Sequence, residues 1–593
     1  EIIVPAPVVR DSATTTRDGV FRQRCQEHPG YPPAAIEHLG IIVITPEKWE
    51  DNAMIVVGRG CRLLTLYIDP KHFTRPDRDW AFLAALLKWV RHHAETLQNT
   101  ELILGDPLQR QAYGYAHFRG PRGIVALRNP FIDPCAVEVK LDESSGWSRA
   151  DSQVSTGAAN TENTFAARIV YPRHETLPST FRYGDVVRLT LQGYETMIVH
   201  VEPISPGQPV LLGARAEEIG RSGRRVNYAV HGRPGHALRL SLAGVASPTS
   251  VSLDGAELSP VVAQGRTELA VSLPGQTPPP CSVEGARLEP ETVGSTWQLT
   301  GACTVQVAPG VTARLSLLCD PRTTAAGPLD CEAWVNGKAV TVRATRTPEK
   351  RDQAHGPHSW SWFSFDVPPG RSAVSIVVKP AKPGWSFARG EVGWWLCAEQ
   401  PLTRATLALE FAEPLAPAPR EPLPLPIHMG VERQEIAICA AKAFRAGHRW
   451  PKTDQPVVHL DEVAPDEVAQ DWGKLQRNRS VWQKPMTIAG KKFARGLGTH
   501  ANGRLVFDLA GGGFKAFRCQ VGRDEHADDG RVEFEVWLDG KRVFQSGPMT
   551  RATPAKPVEV DVQGAAVLEL RSLDGGDGIS GDHANWGEAQ LLR

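Results

Sequence analysis

The 593-residue chain carries 66 Lys plus Arg and 66 Asp plus Glu, so no net field draws it toward phosphate backbones or anionic lipid heads, and nucleic acid is not an expected partner. With 54 Gly, 48 Pro and only 22% charged residues, the composition favours short strands joined by turns, and at roughly 150 residues per domain the length predicts about four units. No apolar run approaches the roughly 20 residues that span a bilayer, so membrane insertion is not expected.

Residues 1–110 are the one portion that reads as α/β. Leu39–Thr45 and Leu63–Ile68 read as buried strands. From Asp77 to Leu97, Trp80, Leu83, Leu87, Val90, Ala94 and Leu97 fall at steps of three and four, which predicts a helix with those residues along its buried face. Thr74 and Asp77 are candidate caps. The adjacent His92 and His93 point about 100° apart on a helix and cannot both ligate one metal from it.

From residue 111 the pattern changes to alternating runs separated by Gly, Pro and Asn: Gly123–Arg128, Ala167–Tyr171, Val186–Leu191 and Thr196–Val201 predict an antiparallel β-sandwich over 111–205. Residues 206–412 continue in this style and predict one or two further sandwiches. Within them Cys281, Cys303, Cys319 and Cys331 fall close enough to pair, while no CxxC exists to suggest zinc. A tryptophan-rich stretch, Trp360, Trp362, Trp385, Trp394 and Trp395, fits a sandwich core better than a sugar-stacking platform. Six prolines between Pro414 and Pro426 predict a stiff connector over 413–456.

From 457 to 593 strands recur at sandwich spacing: Arg504–Leu509, Phe514–Val521, Val532–Leu538, Val558–Val562 and Ala566–Arg571. Asp539-Gly540 between two of the runs is a type I′ hairpin signal. Sugars are held by aromatic faces against C–H groups and by planar polar side chains on adjacent hydroxyls, and Trp586, His500, Asp524, Asp582 and His583 are the right types, as is Trp537. The bland alternative makes Trp537 core and leaves His500 and Asp582 to staple loops together. The acidic turn with Asp524, Asp528 and Asp529 offers carboxylates for a structural Ca2+, and a solvated turn explains it equally well. No other cofactor is expected.

This tail resembles the NPCBM family of carbohydrate-binding modules, galactose-binding-like jelly rolls often appended to α-galactosidase-like enzymes. The likeness rests on Gly496-Leu-Gly-Thr-His-Ala501, Val521-Gly-Arg-Asp524, the Val532–Gly540 strand and turn, Gly564 before Leu568-Glu-Leu570, and Asp582-His-Ala-Asn-Trp586. Arg523 and Asn585 depart from the usual family choices. The resemblance implies glycan or polysaccharide as partner and an extracellular, cell-surface or periplasmic location.

Residues 37–205, with Leu104-Gly-Asp-Pro107, Tyr113-Gly-Tyr-Ala-His117 and Arg122–Pro130, resemble the end of the barrel and the β domain of melibiase-like glycoside hydrolases of the α-galactosidase superfamily. The fold class expected is therefore mainly β and multidomain: a partial (β/α) barrel-like N-terminal portion, antiparallel sandwiches, and a C-terminal galactose-binding-like jelly roll. Retaining glycosidases need two carboxyls about 5 Å apart, which in that superfamily come from earlier barrel strands, so the catalytic residues are unassigned and expected upstream of this chain. Glu47, Asp51 and Asp69 are weak candidates, and no GxSxG, HExxH, strand-borne GxGxxG or P-loop is present. The chain opens at Glu1 without an initiator Met or leader pattern, so a processed signal or a larger upstream piece is expected. The expected function is the C-terminal portion of a secreted, α-galactosidase-like glycoside hydrolase that binds glycans through its tail. The alternative is a non-catalytic glycan-binding or cell-surface structural protein.

Overall fold

The computed structural model describes residues 18–19, 21–22, 25, 41–43, 49–60, 66–68, 73, 76–107, 111–130, 134–152, 163–263, 266–293, 296–321, 329–346, 361–380, 389–417, 431–445, 450, 455–463, 465–509, 512–527 and 530–593. The chain is mainly β, arranged as stacked antiparallel sheets. The exception is the N-terminal portion, where strands Ile41–Val43 and Leu66–Ile68 pair in parallel and the helix Trp49–Gly58 lies between them in sequence. Among the described residues, this pair with its helices is all that this portion contributes toward the expected barrel piece. Glu47 and Asp69 lie outside the described residues, as does Thr74.

The helix predicted over 77–97 forms as Pro76–His92, followed by the short helix Ala94–Leu97. Its buried stripe is Asp79, Phe82, Leu83, Leu86 and Trp89, so the helix is rotated by about one residue from the expected face, and Trp80 is 47% exposed. The reason is a polar anchor. Asp79 Oδ1 accepts a hydrogen bond from Trp49 Nε1 at 3.3 Å, and Phe82 meets the same indole edge-on, which draws a carboxylate into the core face.

These helices cover one face of a six-stranded sheet that runs 100–104, 113–119, 122–128, 196–203, 165–171, 175–181 in spatial order. Strand alternation sends Tyr113, Tyr115, Ile124, Ala126 and Ile198 toward the helices. It sends Ala116, Val125, Leu127 and Val199 to the opposite face, where Val137, Trp147 and Leu189 cover them. Trp147 stacks on Phe118 at 4.7 Å and 13°.

The next sandwich packs a four-stranded sheet (210–212, 237–243, 266–272, 261–263) on a five-stranded one, and it is interrupted in sequence. Strand Thr403–Glu410 sits at its centre between 225–232 and 250–253, although a whole further sandwich, built of residues 282–401, intervenes in the chain. That inserted sandwich is completed by Val431–Arg445, which pairs with Arg389–Pro401. Within the stretch expected as a connector, residues 431–445 are thus a sheet edge, and 418–430 lie outside the described residues.

Trp394 is buried in the core of that sandwich, as the core reading of the cluster expects, whereas Trp362 and Trp395, also buried, pack against Tyr194 of the first sandwich. Trp360 and Trp385 fall outside the described residues. Of the four cysteines that fall close enough in sequence to pair, Cys281, Cys303 and Cys331 are free thiols, and Cys319 is buried in the core. Burial pushes the thiols of Cys303 and Cys331 up to about 12, so they behave as small apolar groups.

The C-terminal part closes on a core of its own between two sheets. One contains Gln476–Arg477, Gly496–His500, His583–Leu592, Ala516–Arg523 and Lys556–Asp561, with Val457–His459 added beside His583–Leu592; the other runs 467–469, 503–508, 567–573, 532–538, 541–549. The hairpin at Asp539-Gly540 forms as its residue types require, with φ of 47° and 81°. A side chain such as Phe517 or Leu591, fully buried between these sheets, contributes about 1.5–3 kcal/mol.

Candidate functional site

Antiparallel pairing brings three strand ends to one rim of this sandwich. His500 closes Gly496–His500 and lies opposite His583, which opens His583–Leu592, while Arg523 closes Ala516–Arg523 opposite Ala584. Residues about 80 positions apart in sequence thus become neighbours through sheet register alone. Two backbone bonds lock the rim: Ala501 N donates to Asp582 O at 3.1 Å, and Asp524 N donates to His583 O at 2.8 Å.

Asp524, His500, His583 and Asp582 all gather here. Asp524, wholly buried, accepts through Oδ2 from Asn585 Nδ2 at 2.7 Å and Thr487 N at 3.4 Å, and through Oδ1 from His526 N at 3.0 Å and His526 Nδ1 at 3.2 Å. Its carboxylate therefore organises the floor. Burial, reinforced by the facing His500 and by Arg523, pulls His583 down to about 4, and burial likewise lowers His500. Both imidazoles are then neutral at pH 7, each with one donor and one acceptor nitrogen. His500 Nδ1 lies 2.9 Å from Ala501 O. Burial and the nearby Asp577 and Asp574 push Asp582 up to about 7.

Two tryptophans from the 471–485 loops stand over this floor. Trp472 stacks on His583 at 5.7 Å and 3°, and Trp482 meets the same ring edge-on at 4.7 Å. Trp482 is 41% exposed, so its indole is presented to solvent at the mouth of the polar cluster. Beneath it His583 Nδ1 and Asn585 Oδ1 are buried without a hydrogen-bond partner among the described residues.

The aromatic expected from sequence lies elsewhere. Trp586 is 1% exposed and packs edge-on against Phe534 at 5.0 Å between the two sheets. Its faces are occupied by the core, and the tryptophan exposed at the rim is Trp482 instead. Trp537, for which a core place was one expectation, instead sits on the outside of its sheet beneath Arg571, whose guanidinium lies 4.1 Å from the ring centroid. Asp528 and Asp529 lie outside the described residues, and among the described residues no group of three or more His, Cys, Asp or Glu side chains is placed to hold a metal ion. Sequence reasoning missed Trp472, Trp482 and Thr487. The available signal was two tryptophans in a stretch rich in Gln, Lys and Arg with no strand alternation, where an indole has no core to enter.

A two-sheet jelly roll with aromatic and polar side chains gathered at one rim has the build of a carbohydrate-binding module. Residues 457–592 match the NPCBM/NEW2 domain, and this part of the chain is an NPCBM domain. The alpha-1,3-galactosidase B of Akkermansia muciniphila is 34% identical over 121 residues, which make up 20% of this chain and 15% of that protein. A second curated relative, from Renibacterium salmoninarum, is 23% identical over 128 residues and is covered over 8% of its length. The chain therefore spans only a small part of these relatives. Among solved structures, the CBM51 module of Clostridium perfringens GH95, in complex with methyl-galactose, is 34% identical; it covers 23% of this chain and 99% of its own, with a TM-score of 0.23. The tandem CBM51 modules of the Streptococcus pneumoniae family 98 glycoside hydrolase cover 60% of this chain and 99% of their own at 14% identity and a TM-score of 0.22.

Proposed function

We propose that the C-terminal domain binds a terminal, galactose-type sugar of a glycan and so holds a glycosidase-related, extracellular or cell-surface protein on its substrate. The observation that carries this reading is the exposed Trp482 indole standing beside neutral His583, over buried polar atoms with no hydrogen-bond partner among the described residues. An apolar face next to unsatisfied donors and acceptors suits a pyranose, which offers C–H groups on one side and hydroxyls around its edge. The name of the Akkermansia muciniphila relative supports the choice of galactose. By the same reading the whole protein is an α-galactosidase-like glycoside hydrolase, whose catalytic pair comes from barrel strands other than Ile41–Val43 and Leu66–Ile68. The parallel strand pair and helices of the N-terminal portion are compatible with a barrel ending.

The test is calorimetric titration of the full chain with methyl α-galactoside and a glycan array probed with the same protein. Binding of galactose-terminated glycans that is lost in Trp482→Ala supports the proposal. Binding that is unaffected by Trp482→Ala, or no preference for terminal galactose on the array, refutes it.

A further inference from the structure

A cavity of about 870 Å3 opens far from the NPCBM rim, where the N-terminal helices, the first sandwich and both middle sandwiches meet. Its walls are tied by ion pairs that cross from unit to unit. Arg215 reaches Glu432 at 3.0 Å and Glu175 at 3.6 Å, Arg233 reaches Glu432 at 2.5 Å, and Arg433 reaches Asp51 at 3.6 Å. Arginines and carboxylates line the space in equal number, so it has no net charge to offer a polyanion or a polycation.

A junction that served only to hold units together would close on itself, because burying polar groups without partners is costly. This one stays open and keeps such groups in its wall. Asp51 is 1% exposed; its Oδ1 accepts from Thr196 N at 2.9 Å, while Oδ2 has the Arg433 guanidinium at 3.6 Å and no hydrogen-bond partner among the described residues. His231, 8% exposed, has an Nδ1 in the same condition. Glu195, buried near Asp51 and Glu435, is pushed up to about 7 by that burial, which lets its carboxyl donate as well as accept. Tyr171 and Trp395 supply apolar surface beside these groups.

Volumes of about 300–1,000 Å3 are those of small-molecule sites. Alternating guanidinium donors and carboxylate acceptors match a run of hydroxyls, each of which both donates and accepts. We propose that this interdomain cavity is a second saccharide site, which takes a neutral hexo-oligosaccharide independently of the NPCBM rim. Cys397, in the cavity wall with Arg433 Nε 3.4 Å from its Sγ, provides a thiol whose alkylation reports occupancy.

The experiment uses the full chain carrying Trp482→Ala, which removes the rim site. It is titrated with neutral galacto-, gluco- and manno-tetraoses, with inorganic sulfate as the charged comparison. The expected result is one equivalent of a tetraose bound per chain, with alkylation of Cys397, followed by peptide mass spectrometry, slowed severalfold at saturation. Thr190→Trp and Thr312→Trp, at exposed positions lining the cavity, are expected to abolish both effects without lowering the melting temperature. The proposal is overturned if no tetraose binds or protects Cys397, if sulfate protects it better than every tetraose, or if both folded plug variants bind as before. These outcomes are independent of the rim proposal, which stands or falls on the effect of Trp482→Ala in the otherwise wild-type chain.

Discussion

Replacing Trp586 by alanine separates a core role from a ligand role at one residue. The indole is 1% exposed, sits opposite Leu497 and Val521 in the sheet register, and meets Phe534 edge-on at 5.0 Å. Truncating a ring held this way costs about 3–5 kcal/mol, the transfer loss plus the cavity left behind. Against a domain stability of about 5–15 kcal/mol this is a large share. For a unit of this size it lowers the melting temperature by roughly 10–20 °C. Scanning calorimetry of the full chain reads the shift, and amide exchange in His583–Leu592 assigns the transition to the NPCBM domain. Glycan affinity measured well below the lowered transition should be largely retained. A variant that melts within a degree or two of wild type yet has lost glycan binding would show that the ring faces the ligand, and the core assignment would be wrong.

Trp482→Ala should do the reverse: at least a roughly tenfold loss of affinity for methyl α-galactoside, about 1.4 kcal/mol, with the transition temperature unchanged because the ring is 41% exposed. Asp524→Ala removes the acceptor shared by Asn585, Thr487 and His526 and should lower the urea stability of the domain by about 1–3 kcal/mol, whereas Asp524→Asn should recover part of it. On acidification the N-terminal unit should lose stability first. His117 and His93 are held down to about 4 by burial, below their ordinary 6.5, so between these values the unfolded chain binds protons that the folded chain refuses. The stability is complete above pH 6.5 and falls progressively toward pH 4, by about 3 kcal/mol from His117 alone. The check is amide exchange in Pro76–His92 and Tyr113–Arg119 across that range, and a flat profile would contradict the buried, neutral imidazole bonded to Gly58 O at 2.7 Å.

The sheets were largely legible because alternation is a local signal. Val532–Leu538 is found with the boundaries its pattern predicts, and Gly503–Asp508, Ala516–Arg523 and Val567–Leu573 fall within two residues of expectation. What failed depends on contacts remote in sequence. No pattern announces that Thr403–Glu410 pairs with Arg225–Gly232 across an inserted sandwich. The face of Pro76–His92 was misjudged because Asp79 is buried for the sake of Trp49, and hydrophobicity cannot score a carboxylate as core. Trp586 and Trp482 are chemically the same residue; what distinguishes them is that one lies in a strand between two sheets and the other in a loop at the rim.

The rim works as a site because of where the strands stop. His500, Arg523 and His583 are the terminal residues of three neighbouring strands, so their backbones are fixed by the ladder on one side while their side chains meet loops on the other. Such a place is rigid enough to hold Asp524 among four donors, yet among the described residues it keeps the Nδ1 of His583 and the Oδ1 of Asn585 unpaired. The Oδ1 and Oδ2 of Asp582 are in the same condition among the described residues, at the rim rather than deep between the sheets. A purely structural network would relax by shifting one loop residue into reach. Here Asp524 is held by four bonds, and on the proposed reading a hydroxyl-bearing ligand meets the unpaired atoms beside it and recovers their cost.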